Sequence, residues 1–321
     1  TGLIMKKILT TIKNNAFAIS VPIVLYMLVL MISPTSRTWG SAWILIKQAF
    51  APTFLAWGVM FAFGVGNWDF SVGANVLLAS IFGGHIAQDL GLGVFGLIVG
   101  CILTGVLCGT ITAFVYRLLK IPTLITTLGM LLIYESISGW VFSGKTLVLD
   151  VQYVVFGKFP INVIAFLVAY LVAYLLYYKL PIGYKVRAVG LNLRVAESNG
   201  IDAVKTKMTA MIIVGLFAGM YAAVNVGSSG QAISMSNMAS MSTCFSAMMC
   251  VCIGNGITGK GNRIFALYCG SLIVQIINML MMAFGIVQQF QKVIIAAVVI
   301  VLMINGARPH RVKAPKPAAA N

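Results

Sequence analysis

Residues 92–116, LGVFGLIVGCILTGVLCGTITAFVY, form a run of 25 residues without a single charged side chain. A helix needs about 20 mostly apolar residues to cross the hydrocarbon core of a bilayer. The run also holds two pairs of glycines four residues apart, Gly96 with Gly100 and Gly105 with Gly109. Small residues at this spacing allow helices to approach closely in lipid. The stretch therefore predicts a transmembrane helix that packs tightly against another helix.

Further apolar runs of comparable length occur along the chain, and the composition agrees with them. Hydrophobic residues make up 60% of the 321 residues and charged residues 9%, whereas soluble domains carry roughly 25% charged residues. The sequence therefore predicts an all-α membrane protein of about ten transmembrane helices, in a single transmembrane domain over residues 1–306. The polar, basic stretch 307–321 predicts a disordered cytoplasmic tail. The other runs are 16–32, 46–64, 71–88, 122–142, 161–178, 208–228, 239–256, 264–284 and 289–306.

The basic residues predict the orientation of these helices. If the N-terminus is cytoplasmic and ten helices follow, 17 of the 22 lysines and arginines fall in cytoplasmic segments and 5 in outer segments. Cytoplasmic loops of membrane proteins carry such an excess of lysine and arginine. Both termini are therefore expected in the cytoplasm. Because the basic residues lie between apolar runs and do not cluster on one face, the net charge of +16 does not indicate a nucleic-acid partner.

Side chains that carry enzyme chemistry are few and scattered. The two histidines, His85 and His310, are far apart in sequence, and Cys250 and Cys252 are closer than zinc ligands usually are. An active site needs a nucleophile with its base, or a set of metal ligands, in one group. The sequence therefore predicts no catalytic residue, no metal and no cofactor, and the chain is not expected to be an enzyme.

A few polar residues within or beside the apolar runs are candidates for lining a pathway through the bundle. Ionisable groups in hydrocarbon are costly, which makes Asp69 and Glu135 functional candidates by default. The alternatives are that Asp69 caps a helix and that Glu135 pairs across the bundle. Polar residues late in the chain are expected either to bond a passing solute or to join helices, and they are Asn225, Ser228, Ser229, Gln231 and Asn278. The pathway candidates are Asn67, Asp69, Ser71, Glu135 and Asn225.

The connection at 183–201, GYKVRAVGLNLRVAESNGI, mixes small, apolar and charged residues. We expect it to form a short amphipathic helix bounded by Gly190 and Gly200. Such a helix parallel to the membrane is one way to dock a soluble partner. A solvated loop whose charges only fix topology explains the same composition, and residue types alone leave both interpretations open.

Four segments in order resemble the ribose-type (monosaccharide) permeases of bacterial ABC importers. They are Asp69-Phe-Ser-Val-Gly73, Ile121-Pro-Thr-Leu-Ile-Thr-Thr-Leu-Gly129, the 183–201 connection and the glycine-rich Ile253–Gly261. The resemblance covers about residues 60 to 306. It implies a bundle like that of type II ABC importers in the bacterial cytoplasmic (inner) membrane. The matching residues of the connection, by this resemblance an ATPase-coupling loop, are Arg187, Ala188, Gly190, Asn192, Ala196, Gly200 and Ile201.

The same resemblance implies partners and a function. An ATPase subunit would dock on the coupling loop, an extracytoplasmic solute-binding protein would deliver solute, and a second permease chain would complete a homo- or heterodimer within membrane lipid. The expected solute is a monosaccharide, a pentose or hexose. The alternatives are a nucleoside permease of the same type and an ion-coupled secondary transporter, which often uses intramembrane carboxylates.

ATP hydrolysis is expected in a separate subunit. The stretch from Gly254 to Lys260 satisfies most of the G-x-x-x-x-G-K phosphate-loop pattern, but Gly261 stands where Ser or Thr should follow. No β-strand is predicted before it, and a phosphate loop needs a strand before and a helix after.

Overall fold

The computed structural model describes residues 2–32, 39–144, 146–258 and 261–286, together with isolated positions between 290 and 297. Within these ranges the chain is almost entirely helical. The helices are α1 (Gly2–Ile32), α2 (Trp39–Gly64), α3 (Val72–Asp89), α4 (Gly93–Leu119), α5 (Thr123–Trp140), α6 (Ile161–Tyr174), α7 (Pro181–Leu191), α8 (Leu193–Ser198), α9 (Ala203–Ser229), α10 (Met241–Ile257) and α11 (Arg263–Ala283).

The expected all-α membrane class is confirmed, and each predicted apolar run up to 264–284 coincides with one helix. Among the described residues, five helices are long and apolar enough to cross a membrane: 40–64, 93–119, 161–179, 203–229 and 263–283. The number of about ten spans and the cytoplasmic position of both termini stay predictions. The tail 307–321 and most of the run 289–306 lie outside the described residues.

The second glycine pair of α4, Gly105 and Gly109, forms a close helix crossing with α9, and Gly100 of the first pair lies against Gly83 of α3. A Cβ atom built on Gly105 would lie 2.5 Å from the carbonyl oxygen of Gly215 and 2.7 Å from the amide nitrogen of Gly219. One built on Gly109 would lie 2.9 Å from the carbonyl oxygen of Met211. Only glycine permits backbones to approach this closely. The close packing predicted for these glycines is confirmed.

Helix α2 runs through the centre of the bundle and carries its largest buried side chains. Trp57 is fully buried, and its indole N–H donates to the carbonyl oxygen of Ile264 at 3.0 Å. Phe61 stacks on Phe217 of α9, with ring centroids 6.4 Å apart. Aromatic side chains bury more area than any others, so α2 joins α9 and α11 into one core.

The connection at 183–201 holds two helices where one was expected. The second, α8, lies between Gly190 and Gly200 as predicted, but Gly190 itself lies inside the first. A Cβ at Gly190 would collide with the carbonyl oxygen of Gly64 at the end of α2, so this glycine lets α7 pack directly on the α2 backbone. The boundary is Asn192, which ends α7 and caps α8 by accepting the N–H of Val195 at 3.2 Å.

The connection between α5 and α6 is tied to the segment that follows α9. Strand β1 (Leu147–Val148) pairs antiparallel with strand β2 (Gln231–Ala232). The N–H of Leu149 then donates to the carbonyl oxygen of Gly230 at 2.8 Å, and the N–H of Phe156 to that of Gly227 at 3.0 Å. Two-residue strands have no periodicity that a sequence could reveal, and this sheet was not predicted.

Candidate functional site

A cavity of about 230 Å³ lies between α3, α9, β2 and α10, and we call it the α9 cavity. Its walls are partly apolar, and none of its lining side chains is charged. Amides and hydroxyls supply the polar part of the wall. The polar lining residues are Ser80, Tyr221, Asn225, Ser229, Gln231 and Thr243.

Asn225 lies one turn before the end of α9 and is the predicted pathway residue that the structure places in the α9 cavity. The hydroxyls of Ser228 and Ser229 donate to its backbone carbonyl at 2.9 and 2.8 Å. Those hydroxyls are therefore engaged with the helix. Asn225 itself contributes an amide residue to the lining of the cavity. An amide both donates and accepts hydrogen bonds, which suits a solute with hydroxyl groups.

Asp69 and Ser71 bond to each other where the chain enters α3. One carboxylate oxygen of Asp69 accepts the hydroxyl of Ser71 at 2.6 Å and its N–H at 3.0 Å. Both residues are buried. This geometry favours the capping interpretation of Asp69, because short side chains that bond the backbone two residues later stabilise helix starts. Neither residue lines the α9 cavity, but Gly73, two residues further on, does.

Asn67 is buried with both atoms of its side-chain amide unpaired, among the residues the structure describes. Asn75 on α3 donates to the carbonyl oxygen of Gly105 at 3.1 Å, while its amide oxygen is unpaired in the same ranges. A buried polar group without a partner costs about 1–3 kcal/mol. Asn67 therefore supplies unused hydrogen-bonding capacity next to the entry of α3.

Glu135 pairs across the bundle, which was one of its two predicted roles. Its two carboxylate oxygens accept the N–H of Met238 at 2.8 Å and the N–H of Ser240 at 2.9 Å. Both donors precede α10, so the carboxylate fixes the start of that helix. Thr243, one turn into α10, lines the α9 cavity.

Three cavity residues were not among the sequence candidates: Ser80 on α3, Tyr221 on α9 and Thr243 on α10. Each is a small polar group or a phenol in an otherwise apolar helix. This pattern is common for residues that join helices in membranes, so the sequence offered no way to separate them from structural residues.

Helices α7 and α8 expose several large apolar side chains together with Lys185, Arg194 and Glu197, and we call this the α7–α8 surface. Leu191 is 88% exposed, and Tyr184, Leu193 and Val195 are exposed as well. The opposite face of α7 is buried through Gly183, Val186 and Val189. A helix of 11 residues is too short to span a bilayer. The exposed apolar side chains of α7 are therefore not explained by a position across the hydrocarbon core.

The seven predicted coupling-loop residues occupy different positions in this segment. Arg187, Ala188 and Ile201 are half-buried, Ala196 is buried, and Gly190, Asn192 and Gly200 are exposed. Gly200 has a positive φ of 78°, a conformation that glycine adopts at little cost, and it connects α8 to the segment before α9.

The glycine-rich stretch that resembles a phosphate loop begins inside a helix. Gly254, Asn255 and Gly256 form the last turn of α10, whereas a phosphate loop follows a β-strand. A Cβ at Gly254 would lie 2.8 Å from the Cα of Leu267. This glycine therefore serves the packing of α10 on α11.

Comparison with known proteins identifies relatives of the chain. Residues 41–303 match the family described as branched-chain amino acid transport system / permease component. The galactofuranose transporter permease protein YtfT of Escherichia coli (strain K12) is 24% identical over 84% of this chain and 80% of its own length. The autoinducer 2 import system permease protein LsrD of Salmonella typhimurium (strain LT2) is 25% identical over 75% of each chain. No solved structure matches.

Proposed function

We propose, from the premise that this chain belongs to the family of branched-chain amino acid transport system permease components, that it carries a neutral monosaccharide through the membrane as part of an ATP-driven importer. The family match confirms the resemblance to ABC permeases found in the sequence. The chain is a multi-pass membrane protein and a transport subunit. The solute, the partners and the inner-membrane location in a bacterium are the proposed parts.

The charge-free wall of the α9 cavity is the observation that carries the choice of solute. An amino acid brings an ammonium and a carboxylate, and unpaired charges are costly to bury. The polar lining residues of the cavity are amides, hydroxyls and a phenol, which match the hydroxyl groups of a sugar. One relative is named for galactofuranose, a sugar, and this name supports a sugar as the solute.

The α7–α8 surface supports an arrangement in which separate partner proteins supply ATP hydrolysis and solute. An ATPase subunit docks there, on exposed apolar side chains such as Tyr184 and Leu191, from the cytoplasmic side. A solute-binding protein delivers the sugar on the opposite side, and two permease chains enclose the pathway. Binding and hydrolysis of ATP in the partner drive alternating access, with no covalent step on this chain.

Reconstitution tests the function. The chain is isolated from its native membranes in mild detergent with the proteins that bind it, and the complex is placed in liposomes loaded with ATP. Uptake of labelled ribose, galactose and adenosine is then measured. ATP-dependent uptake of a sugar is the expected result. Uptake of adenosine alone would overturn the monosaccharide assignment, and uptake by the chain alone on an ion gradient would overturn the importer.

Docking is tested separately with Tyr184→Ala and Leu191→Ala. Loss of these exposed side chains is expected to weaken binding of the co-purified ATPase by about tenfold or more, as for contacts at the centre of an interface. Leu118→Ala is the control, because Leu118 is another exposed leucine, near the end of α4. Equal ATPase binding by all variants would exclude the α7–α8 surface as the docking site.

A further inference from the structure

Tyr177 lies in the π-helical turn Leu175–Lys179 that continues α6, and its ring is placed between two guanidinium groups. The Cζ atom of Arg187, on α7, is 5.0 Å from the ring centroid, and that of Arg263, at the start of α11, is 5.8 Å from it. Tyr177 is only 4% exposed. Arginine over an aromatic face is attracted by the ring quadrupole, more strongly where water is excluded.

Hydrogen bonds fix Arg263 on three neighbours. Its Nη1 donates to the hydroxyl of Tyr177 at 2.8 Å, and its Nε donates to the side-chain oxygen of Asn255 at 2.8 Å. Its backbone N–H donates to the hydroxyl of Tyr178 at 3.1 Å. The end of α6, the end of α10 and the start of α11 are therefore joined at one arginine.

Arg187 belongs to the same cluster. It is half-buried, and its guanidinium also lies 5.9 Å from the ring centroid of Tyr178. Within the described ranges neither arginine forms an ion pair, so tyrosine rings and neutral acceptors are the partners found there. Arg187 is three residues after Tyr184 and four before Leu191, so it borders these exposed side chains on α7 while its guanidinium lies over the rings of Tyr177 and Tyr178.

A continuous path leads from this cluster to the α9 cavity. Asn255 is in the last turn of α10 and Thr243, in the first turn, lines the cavity. The 12 residues between them span about 18 Å of helix. A displacement of α7 that moves Tyr177 therefore acts on the end of a rigid element whose other end contacts the solute space.

We propose that Tyr177, held between Arg187 and Arg263, is a positioning residue that transmits movement of α7 to the turn between α10 and α11. This inference rests on the proposed function, in which the ATPase moves α7. In this arrangement the guanidinium of Arg187 acts through the tyrosine rings and not through a bond to the ATPase. It ties the docking helix to the part of the bundle that must rearrange.

The test separates docking from transmission in the reconstituted complex of the chain with its ATPase. Arg187→Met keeps a long apolar stem and removes the cation, and Lys185→Ala, on the exposed side of the same helix, is the control. Arg187→Met is expected to bind the ATPase as tightly as wild type while the number of solute molecules moved per ATP falls about tenfold, the loss expected for a desolvated cation–π contact. Lys185→Ala is expected to change neither quantity.

Tyr177 itself is tested by two substitutions. Tyr177→Phe keeps the ring between the guanidiniums and loses only the bond to Arg263, so it is expected to retain more transport per ATP than Tyr177→Leu. If Tyr177→Leu does not fold, the pair Arg187→Met and Arg263→Met decides. Because both arginines act through one ring, their effects on transport per ATP are expected to be non-additive.

Two results overturn the inference while leaving the proposed function intact. One is weaker ATPase binding by Arg187→Met, which would make Arg187 a docking contact. The other is wild-type transport per ATP in both Arg187→Met and Tyr177→Leu. If the wild-type chain binds no ATPase, the proposed function itself fails, and this outcome is visible before any variant is made.

Discussion

The carboxylate of Glu135 on α5 accepts the backbone N–H of Ser240 at 2.9 Å, although the two residues are 105 positions apart in the chain. The second carboxylate oxygen accepts the N–H of Met238. An anion at the start of a helix is favoured by the N–H groups that have no partner within the helix. This acidic residue in an otherwise apolar helix therefore has structural partners and holds α10 beside the α9 cavity.

Replacing Glu135 by Ala is expected to destabilise the fold. The N–H groups of the buried Ser240 and of the more exposed Met238 would lose their acceptor, and an unpaired buried group costs about 1–3 kcal/mol. Glu135→Gln keeps one acceptor oxygen and should lose about half as much. The measurement is the midpoint of thermal unfolding in detergent. Ser136→Ala is the control, because the Ser136 hydroxyl is exposed and bonds only its own helix. A Glu135→Ala chain as stable as wild type would refute this role of the carboxylate.

Asn225→Leu is expected to lower ATP-driven solute uptake without weakening ATPase binding. One neutral hydrogen bond contributes about 0.5–1.5 kcal/mol, so the uptake rate should fall about threefold to tenfold. The rate is measured in liposomes at a fixed concentration of binding protein. Ser228→Ala, on the same helix but outside the α9 cavity, should leave uptake unchanged. If both variants behave like wild type, Asn225 does not contact the solute.

Gly105→Ala is expected to lower stability by about 1–3 kcal/mol, the cost typical of overpacking a close contact. The added methyl group would meet the backbone of Gly215 and Gly219, which has no room to yield. Gly129→Ala on α5 is the matched control, since a Cβ there would have no atom within 4 Å. Denaturation of both variants in the same detergent distinguishes the positions. Equal stability of the two variants would contradict the close crossing of α4 and α9.

Asp202, exposed just before α9, accepts the backbone N–H of Lys205 at 3.0 Å, and this bond lowers the pKa of its carboxyl group. A lowered folded-state pKa stabilises the fold above the unfolded value of about 3.9, and this stabilisation is lost as pH falls through the folded-state pKa. Asp202→Asn keeps a capping oxygen that does not titrate. The difference in unfolding midpoint between wild type and Asp202→Asn should therefore change as pH falls below about 5. A difference that stays constant down to pH of about 3 would show that this carboxyl does not titrate as proposed.

The helices could be predicted from the sequence because each long apolar run depends only on residues that are neighbours in the chain. The predicted runs 92–116 and 161–178 end within a few residues of the ends of α4 and α6. The glycine pairs of α4 likewise indicated close packing, and the partners proved to be α9 for Gly105 and Gly109 and α3 for Gly100. Local composition decides such features, so no knowledge of distant residues was needed.

The site was predicted less completely, because its residues meet only in three dimensions. Asn225 was identified as a polar residue in an apolar run, but the wall opposite it comes from Ser80 and Thr243 on other helices. Two roles were considered for Glu135. Only the hydrogen bonds that its carboxylate accepts from the N–H groups of Met238 and Ser240 distinguish them. Gly190 was read as a boundary because glycine often ends helices, and only the nearby α2 backbone explains why it lies within α7.

The pairing of β1 with β2 has a thermodynamic consequence. Gln231, which lines the α9 cavity, is bonded through its strand to Val148 in the connection between α5 and α6. Suppose that a ligand of this connection binds one arrangement of the two strands more tightly than another. Linkage then requires that occupancy of the cavity change the affinity of that ligand by the same factor by which the ligand changes the affinity of the cavity. The two-residue sheet would thus make filling of the cavity and engagement of the distant connection reciprocal effects, measurable from either end.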